Sequence, residues 1–193
     1  MCFALIHTVL RANLYRHFVA GCLCAFSLHA WAWNTTGHRE VVVVAWSALT
    51  PQTQAAIGGL LKEQTLIPNL NGISSEEAWM RAALWPDELR DQAEPKGSNV
   101  SAPRNTQQWL QRARTGEATR RWHFADRDIA KPFSPKTVHG LLEQAVTEQI
   151  RLLGDTTLSR QDRAVALAWV SHLIADAHQP LHTASRQDPL NPG

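Results

Sequence analysis

Cysteine is scarce in this chain of 193 residues, and its placement narrows the possible chemistry further. The three cysteines, Cys2, Cys22 and Cys24, all lie within the first 32 residues. If that segment is removed on export, the remaining chain has no thiol. It can then form no disulfide and offer no thiolate ligand to a metal, so an exported domain would need another means of stabilisation.

Acidic residues are absent from the same segment, which contains Arg11 and Arg16, an apolar run over residues 18–28, and the small residues Ala30 and Ala32 at its end. This order is typical of a secretory signal. It predicts a signal peptide over residues 1–32, a secreted or periplasmic protein, and one domain over residues 33–193.

The chain also lacks a long hydrophobic run. The apolar stretch over residues 18–28 is well short of the roughly 20 residues that a membrane-spanning helix needs. A membrane anchor is therefore disfavoured, and we expect no stable membrane association. A lipoprotein signal ending at Cys22 is disfavoured too, because too few apolar residues would precede the cysteine.

An excess of charge of one sign is missing from the predicted mature chain. Arg11 and Arg16 account for the whole formal net charge of +2, so the rest of the chain is balanced. A balanced chain argues against extensive contact with long nucleic acid through released counterions. If the protein recognises phosphate, metals and a local arginine must do so.

Strand patterns are rare, and the fold class predicted is all-α, with helices packed in a single domain and long irregular loops. The residues at 41–44 are all valine, yet we interpret them as part of a buried helix after a Thr35 or Thr36 cap. Residues 92–120 are polar and predict a long surface excursion with at most one short helix around Trp109.

The other helices are predicted from caps, periodicity and stop signals. Thr50 and Pro51 open one helix, Ser74 with Glu77 forms a capping box for another, and Ser159 starts the last, which Pro180 stops. The predicted helices cover residues 35–46, 51–62, 74–85, 138–153, with Gly154 just beyond the end, and 159–179.

The pattern H-x3-D-x5-H is formed by His172 and Asp176 on the last predicted helix and by His182 just beyond Pro180. Residues four apart project from one helix face, so His172 and Asp176 could hold one divalent ion. Such a pair alone is more often hydrogen-bonded in a core. His178 and His182 follow at once, which favours a metal site; His178 itself matches no ligand position and is interpreted as a supporting or structural residue.

Three further segments have the same character. Asp87 precedes Arg90 by one helical turn, which pairs a metal-binding carboxylate with a guanidinium able to clamp phosphate. Alone, this is more often an ordinary solvated helix start, and His123, beside Phe124, is alone more often a core histidine. If Trp33 becomes the amino terminus, its amino nitrogen and carbonyl oxygen could chelate an ion together with His38. Zinc suits such nitrogen and oxygen ligands when no thiolate is offered.

Taken together, these motifs resemble the secreted three-zinc nucleases of the S-one/P-one type, which are related to zinc-dependent phospholipase C. The resemblance extends from Trp33 to His182. The matching motifs are Trp33, His38, Trp-x-Asp87-x-x-Arg90, Trp-His123-Phe-x-Asp126 and His172-x3-Asp176-x-His-Gln-Pro-Leu-His182. It implies a compact helical domain with a zinc cluster at the base of a cleft.

The resemblance implies a role for each matched residue. Asp87, His123, His172 and Asp176 would hold one zinc; the Trp33 amino and carbonyl groups, His38 and Asp176 would hold a second; His182 would belong to a third. Arg90, Asp87 and Asp176 would be catalytic. Phe124 would stack on a base and Asp126 would hydrogen-bond it, with Arg90 on the phosphate.

The implied reaction is hydrolysis of single-stranded DNA or RNA and of nucleotide 3′-phosphates to give 5′-phosphate products, by a monomer that needs no organic cofactor. The family continues with a GGN segment and a His-x3-Asp pair that complete the third zinc site. After His182 this chain offers only Asp188 as an acid and no histidine. A truncated chain that binds two zincs is therefore expected. A phospholipase C-like lipid phosphoesterase and an inactive zinc-binding remnant remain alternatives.

Overall fold

Helices account for most of the part of the chain that the computed structural model describes, which is residues 35–93, 101–132, 134 and 138–184. The α-helices are α1 Thr35–Ala48, α2 Pro51–Lys62, α3 Ser75–Ala93, α4 Thr106–Thr115, α5 Leu142–Gly154, α6 Arg160–His178 and α7 Pro180–Thr183. A 3-10 helix spans Arg120–His123, and β1 (Ala125–Asp126) pairs antiparallel with β2 (His139–Gly140). The all-α prediction is confirmed.

Side-chain caps begin three of these helices where the sequence predicts. The Thr50 hydroxyl accepts a hydrogen bond from the Thr53 amide at 3.3 Å, with Pro51 in the first turn of α2. The Ser74 hydroxyl accepts from the Glu77 amide at 3.1 Å, and that of Ser159 from the Asp162 amide at 3.1 Å. Each cap satisfies an amide that has no partner inside its own helix.

Helix α3 is longer than predicted. Its expected end near Trp85 is wrong, because the helix continues through Pro86 to Ala93. Proline has no N–H and so removes one backbone hydrogen bond. Ala82, Trp85 and Pro86 are nevertheless buried, and this tertiary packing keeps the segment helical. Asp87 and Arg90 therefore lie in the second half of a long helix.

Helix α1 confirms that the valine run is helical, but its predicted burial is wrong. His38 and Val42, four residues apart, are buried. Val43 is 38% exposed and Val44 is 68% exposed. Only one stripe of α1 faces the core, since residues at spacings other than three or four project in other directions.

The polar region at 92–120 contains the predicted short helix around Trp109, now α4. Trp109, Leu110 and Ala113 are buried, so this part of the region is not the surface excursion predicted. Residues 94–100 lie outside the described residues. Gly154, predicted to follow a helix end, is the last residue of α5, a difference of one residue.

Helix α6 lies at the centre of the core and contacts α1 to α5 as well as α7. Its Trp169 packs edge-on against Trp122 with ring centroids 4.9 Å apart, and Trp122 lies 4.8 Å from Trp109. The Trp169 indole N–H donates to the Ala113 carbonyl at 2.8 Å. All described residues belong to one unit, Trp33–Gly193. The predicted signal peptide lies outside the described residues and stays a prediction.

None of the described helices is both long enough and apolar enough to cross a membrane.

Candidate metal centre

Five structural elements bring the predicted ligand side chains to one place. The side chains are His38 on α1, Asp87 on α3, His123 at the end of the 3-10 helix, His172 and Asp176 on α6, and His182 on α7. His172 and Asp176 lie together because their spacing puts them on one face of α6. The positions of the other four residues depend on how the helices pack around α6.

Asp176 lies at the centre of the group, and its two oxygens face different partners. Oδ2 is 3.1 Å from His123 Nδ1 and 3.2 Å from His172 Nε2. Oδ1 is 3.5 Å from His38 Nε2 and 3.6 Å from His182 Nε2. The carboxylate can therefore serve two adjacent cations, one at each oxygen.

Asp87 closes the opposite side. Its Oδ1 lies 3.4 Å from His172 Nε2 and 3.5 Å from His123 Nδ1, while its Oδ2 lies 4.0 Å from His38 Nε2. The Asp87 side chain is 34% exposed, whereas that of Asp176 is 2% exposed. The centre thus has a buried floor at Asp176 and an edge open to solvent at Asp87.

Two overlapping sets of these atoms could each hold a metal ion. One comprises His38, Asp87 and His172, and the other comprises His123, His172 and Asp176; in each set the ligand atoms lie within 4.8 Å of one another. His123 Nδ1 and His172 Nε2 are only 2.9 Å apart. Nitrogen and carboxylate ligands without thiolate suit zinc.

His172 is held in the orientation that a ligand needs. Its Nδ1–H donates to the Ala83 carbonyl of α3 at 2.8 Å, which directs Nε2 at the two carboxylates. The His38 ring stacks on it with centroids 4.0 Å apart. A backbone carbonyl behind a metal-binding histidine fixes its tautomer and ring direction. Nothing in the sequence pattern identifies Ala83.

Two buried ring nitrogens face away from the centre. His38 Nδ1 and His123 Nε2 have no hydrogen-bond partner within the described part of the chain. A doubly protonated ring would need acceptors for both N–H groups, so burial favours the neutral form of each histidine. A neutral imidazole offers the lone pair that a metal requires.

The pKa shifts of most of the ligands agree with neutral histidines and ionised carboxyls. Burial and the neighbouring His172 lower the pKa of His38 to about 4, and burial lowers the pKa of His123. Burial raises the pKa of both carboxyls, but hydrogen bonds from His172 to Asp87, and from His123 and His172 to Asp176, outweigh it and lower both. Two neutral imidazoles therefore face two carboxylates at neutral pH.

His172 is the exception. Burial lowers its pKa, but hydrogen bonds to Asp176 and Asp87 outweigh that effect and raise it to about 9. The neighbouring protein groups therefore keep both ring nitrogens of His172 protonated at neutral pH. A metal ion at Nε2 would have to displace the proton there.

Arg90 lies at the open edge, one turn after Asp87. Its Nη1 is 2.7 Å from Asp87 Oδ1. Nε and Nη2 both contact Asp91 Oδ1, at 2.9 and 2.8 Å. The guanidinium thus lies beside the ligand cluster, and its Nε and Nη2 are held by Asp91. The sequence patterns do not predict this contact, although the two residues are adjacent.

The predicted base-binding residues lie on the short hairpin that follows His123. Phe124 precedes β1 and Asp126 ends it, opposite His139. Asp126 Oδ1 is buried without a hydrogen-bond partner among the described residues. Gly140 has φ 107°, and a side chain there would collide with the Phe124 carbonyl. A glycine is therefore needed for β2 to pass so close to Phe124.

Two other predicted positions differ in outcome. His178 is exposed, and its Nδ1–H donates to the Ile174 carbonyl at 2.7 Å. Neither His178 nor the predicted ligand His182 belongs to the two ligand sets, although His182 Nε2 lies 3.6 Å from Asp176 Oδ1. Trp33, the predicted amino-terminal ligand, lies outside the described residues.

One known protein family matches most of the chain. No curated protein and no solved structure matches the chain. The model of the S1/P1 nuclease family matches residues 33–190, which include every predicted ligand. Since that match covers most of the chain, the protein belongs to the S1/P1 nuclease family and is a hydrolase that acts on nucleic acids.

Proposed function

We propose that this protein is a zinc-dependent phosphodiesterase that hydrolyses single-stranded DNA or RNA and nucleotide 3′-phosphates, leaving 5′-phosphate products. The observation that supports it most is the position of Arg90. A guanidinium that can hold phosphate contacts Asp87, and Asp87 in turn faces three of the ligand histidines.

The donor set fits zinc. One ion would be held by Asp87, His123, His172 and Asp176, and a second by His38 and Asp176 together with the predicted amino terminus at Trp33. His182, near Asp176 Oδ1, would contribute to a third. Bound zinc would lower the pKa of coordinated water from about 16 toward neutrality and so supply a nucleophile at physiological pH.

The protein's own groups bind and orient the substrate. Arg90 would hold the phosphate and stabilise the negative charge that grows on its equatorial oxygens. Asp91 keeps the guanidinium plane fixed through Nε and Nη2. The Nη1 edge, which now contacts Asp87, is directed at the cluster where the phosphate must lie.

Selection for unpaired strands would come from the hairpin. Phe124 would stack on a base, and the Asp126 carboxylate would hydrogen-bond the base edge. Only a base that is free of its partner strand can be stacked in this way. A duplex of the same sequence should therefore be a poor substrate.

The test compares metal content and cleavage in one preparation. Zinc bound per chain is measured by elemental analysis, and rates are measured on single-stranded DNA, on its duplex, on a 3′-nucleotide and on phosphatidylcholine. Zinc together with cleavage of the single strand and the 3′-nucleotide supports the proposal. Cleavage of the lipid alone would favour a phospholipase, and zinc without hydrolysis would identify a binding protein.

Export is proposed on the signal-like segment alone. Amino-terminal sequencing of protein recovered outside the cytoplasm should begin at Trp33. A different first residue would remove the amino-terminal ligand from the proposed second zinc site.

A further inference from the structure

Two hydrogen bonds side by side tie α3 to α6. The Trp79 indole N–H donates to the Ser171 hydroxyl at 2.7 Å, and the His172 Nδ1–H donates to the Ala83 carbonyl at 2.8 Å. Ser171 directly precedes His172 on α6, and Trp79 lies one helical turn before Ala83 on α3. The second bond holds a proposed metal ligand directly, whereas the first involves no proposed ligand.

Asp87 continues the same stripe of α3. Trp79, Ala83 and Asp87 follow one another at intervals of four residues, so they project from one side of the helix. Four residues advance an α-helix by about 6 Å. Any shift of α3 along α6 would therefore move Asp87 away from His172, whose Nε2 lies 3.4 Å from Asp87 Oδ1.

The bond between Trp79 and Ser171 has a fixed direction and is shielded from water. Both residues are 8% exposed. The Ser171 hydroxyl gives its own proton to the Leu167 carbonyl at 2.8 Å, so its oxygen is left to accept from the indole, which can only donate. A buried donor without an acceptor is costly. The bond therefore opposes any sliding of α3 on α6.

Apolar packing on this part of α3 fixes its position less well. The buried neighbours of Trp79 on the same helix include Ala78, Ala82 and Ala83. A methyl group reaches only a short way into the groove of a neighbouring helix, so alanines interlock less than larger side chains do. The directional bonds at Ser171 and at the Ala83 carbonyl therefore matter more for the register of the two helices.

Trp79 also reaches α1. Its ring lies against that of Trp46, with ring centroids 5.9 Å apart. Three helices therefore meet at Trp79, namely α1, α3 and α6. The same three helices supply one of the two ligand sets, which comprises His38, Asp87 and His172.

The geometry points to Trp79 as a positioning residue of the metal centre, which holds α3 and α1 in register with α6 through Ser171 and Trp46. Trp79 binds no metal itself; it sets the separation of ligands that come from different helices. The inference rests on the proposed function only in that it assumes zinc at the ligand cluster.

The experiment measures zinc affinity in variants that lose the bond. Trp79→Phe removes the donor but keeps an aromatic ring, and Ser171→Ala removes the acceptor. Zinc-loaded protein is titrated with a chelator of known zinc affinity. Loss of a group that orients metal ligands lowers metal affinity about 10- to 100-fold, and since this pair acts through the helices, each variant should lose about tenfold.

Trp109→Phe is the matched control. It makes the same change on α4, which carries none of the proposed ligands. All three single variants should melt at a lower temperature than the unsubstituted protein, but Trp109→Phe should keep its full zinc affinity. Cobalt(II) in place of zinc gives visible absorption bands that depend on ligand geometry. These bands should change in Trp79→Phe and Ser171→Ala only.

The double variant separates the bond from general packing. If Trp79 and Ser171 act through their hydrogen bond, a protein with both substitutions should lose no more zinc affinity than either single variant. Losses that add would mean that the two side chains act independently, and would overturn the inference. Unchanged zinc affinity in both single variants would overturn it too.

Zinc affinity also separates this inference from the proposed function, because binding does not require turnover. A protein that binds zinc but hydrolyses neither nucleic acid nor a 3′-nucleotide would end the proposed function, and the affinities of the variants would still decide the role of Trp79. If the unsubstituted protein binds no zinc, both are wrong.

Discussion

Two buried clusters follow each other along one stripe of α6, and the chain stabilises them differently. The aromatic cluster is Trp109, Trp122 and Trp169; the ionic cluster begins one turn later with His172 and Asp176. In the aromatic cluster the rings pack on one another and Trp169 has a backbone acceptor. Its one shortfall is the buried Trp122 N–H, which lacks a partner among the described residues.

The ionic cluster contains two carboxylates and several imidazoles whose nitrogens converge on them. Removing one partner from such a group leaves another charge uncompensated, which is costly where the group is buried. The aromatic cluster is therefore held together by packing among its own side chains, whereas the ionic cluster has the ligand sets that the proposed function assigns to a cation. Stability should therefore depend on metal in one cluster only.

Asp176→Asn should have the largest effect, because it removes the charge shared by two proposed metal positions. Zinc content should fall, and activity should drop roughly a thousandfold, since metal stabilisation of the transition state contributes several kcal/mol. His178→Ala, on the same helix but exposed, is the control and should change neither. Equal losses in the two variants would mean that zinc content and activity depend on α6 as a whole and not on the Asp176 carboxylate.

A chelator should destabilise the ionic cluster and leave the aromatic one unchanged. Removing zinc should lower the melting temperature of the unsubstituted protein by on the order of 10 °C, because metal-binding free energy contributes to folding. Trp109→Phe should lower the free energy of unfolding by about 2 kcal/mol and therefore the melting temperature by roughly 4–8 °C. Calorimetry of both proteins with and without chelator should show additive shifts. If the chelator leaves the melting temperature unchanged, the stability of the ionic cluster does not depend on metal.

Arg90→Lys should separate the rate of the reaction from stability within the ionic cluster. Lysine keeps the charge but cannot reproduce the planar fork, so kcat should fall about 10- to 100-fold. Zinc content and melting temperature should stay unchanged, because Arg90 contacts Asp87 from the open edge. Full activity in this variant would remove Arg90 from the proposed site.

The smallest effect concerns Glu77, whose carboxylate joins α3 to α1 through Arg39. Its carboxylate accepts from Arg39 at 3.0 Å and from Arg81 at 3.2 Å. Burial raises the pKa of Glu77, but these two arginines outweigh it and lower the value below 4.5. A depressed carboxyl pKa stabilises the fold above the unfolded value, and that stabilisation is lost as pH falls through the folded value.

Glu77→Gln should therefore lower the free energy of unfolding by about 0.5 kcal/mol at neutral pH. The difference should disappear in acid, below the folded pKa of Glu77. Glu76→Gln shares the first turn of α3 and serves as the control. Urea unfolding at several pH values checks both variants, and a difference that persists in acid would show that charge is not its cause.

Much of the local structure could be predicted from the sequence, because caps and stop signals act over a few residues. Thr50, Ser74 and Ser159 each bond an amide two or three residues into the helix that follows. Pro86 shows the limit. Its local preference predicts an end to α3, but burial of Trp85 and Ala82 contributes more free energy than the missing hydrogen bond.

The candidate site likewise has features that the sequence predicts and features that depend on tertiary packing. The ligand types, and the single helix face that His172 and Asp176 share, follow from the sequence alone, since helix geometry relates residues four apart. Only the tertiary structure brought His38, Asp87, His123 and His182 to that face and placed the Ala83 carbonyl behind His172. Packing of the helices also leaves half of the α1 valine run exposed. These outcomes depend on packing between elements far apart in the chain, which no local period encodes.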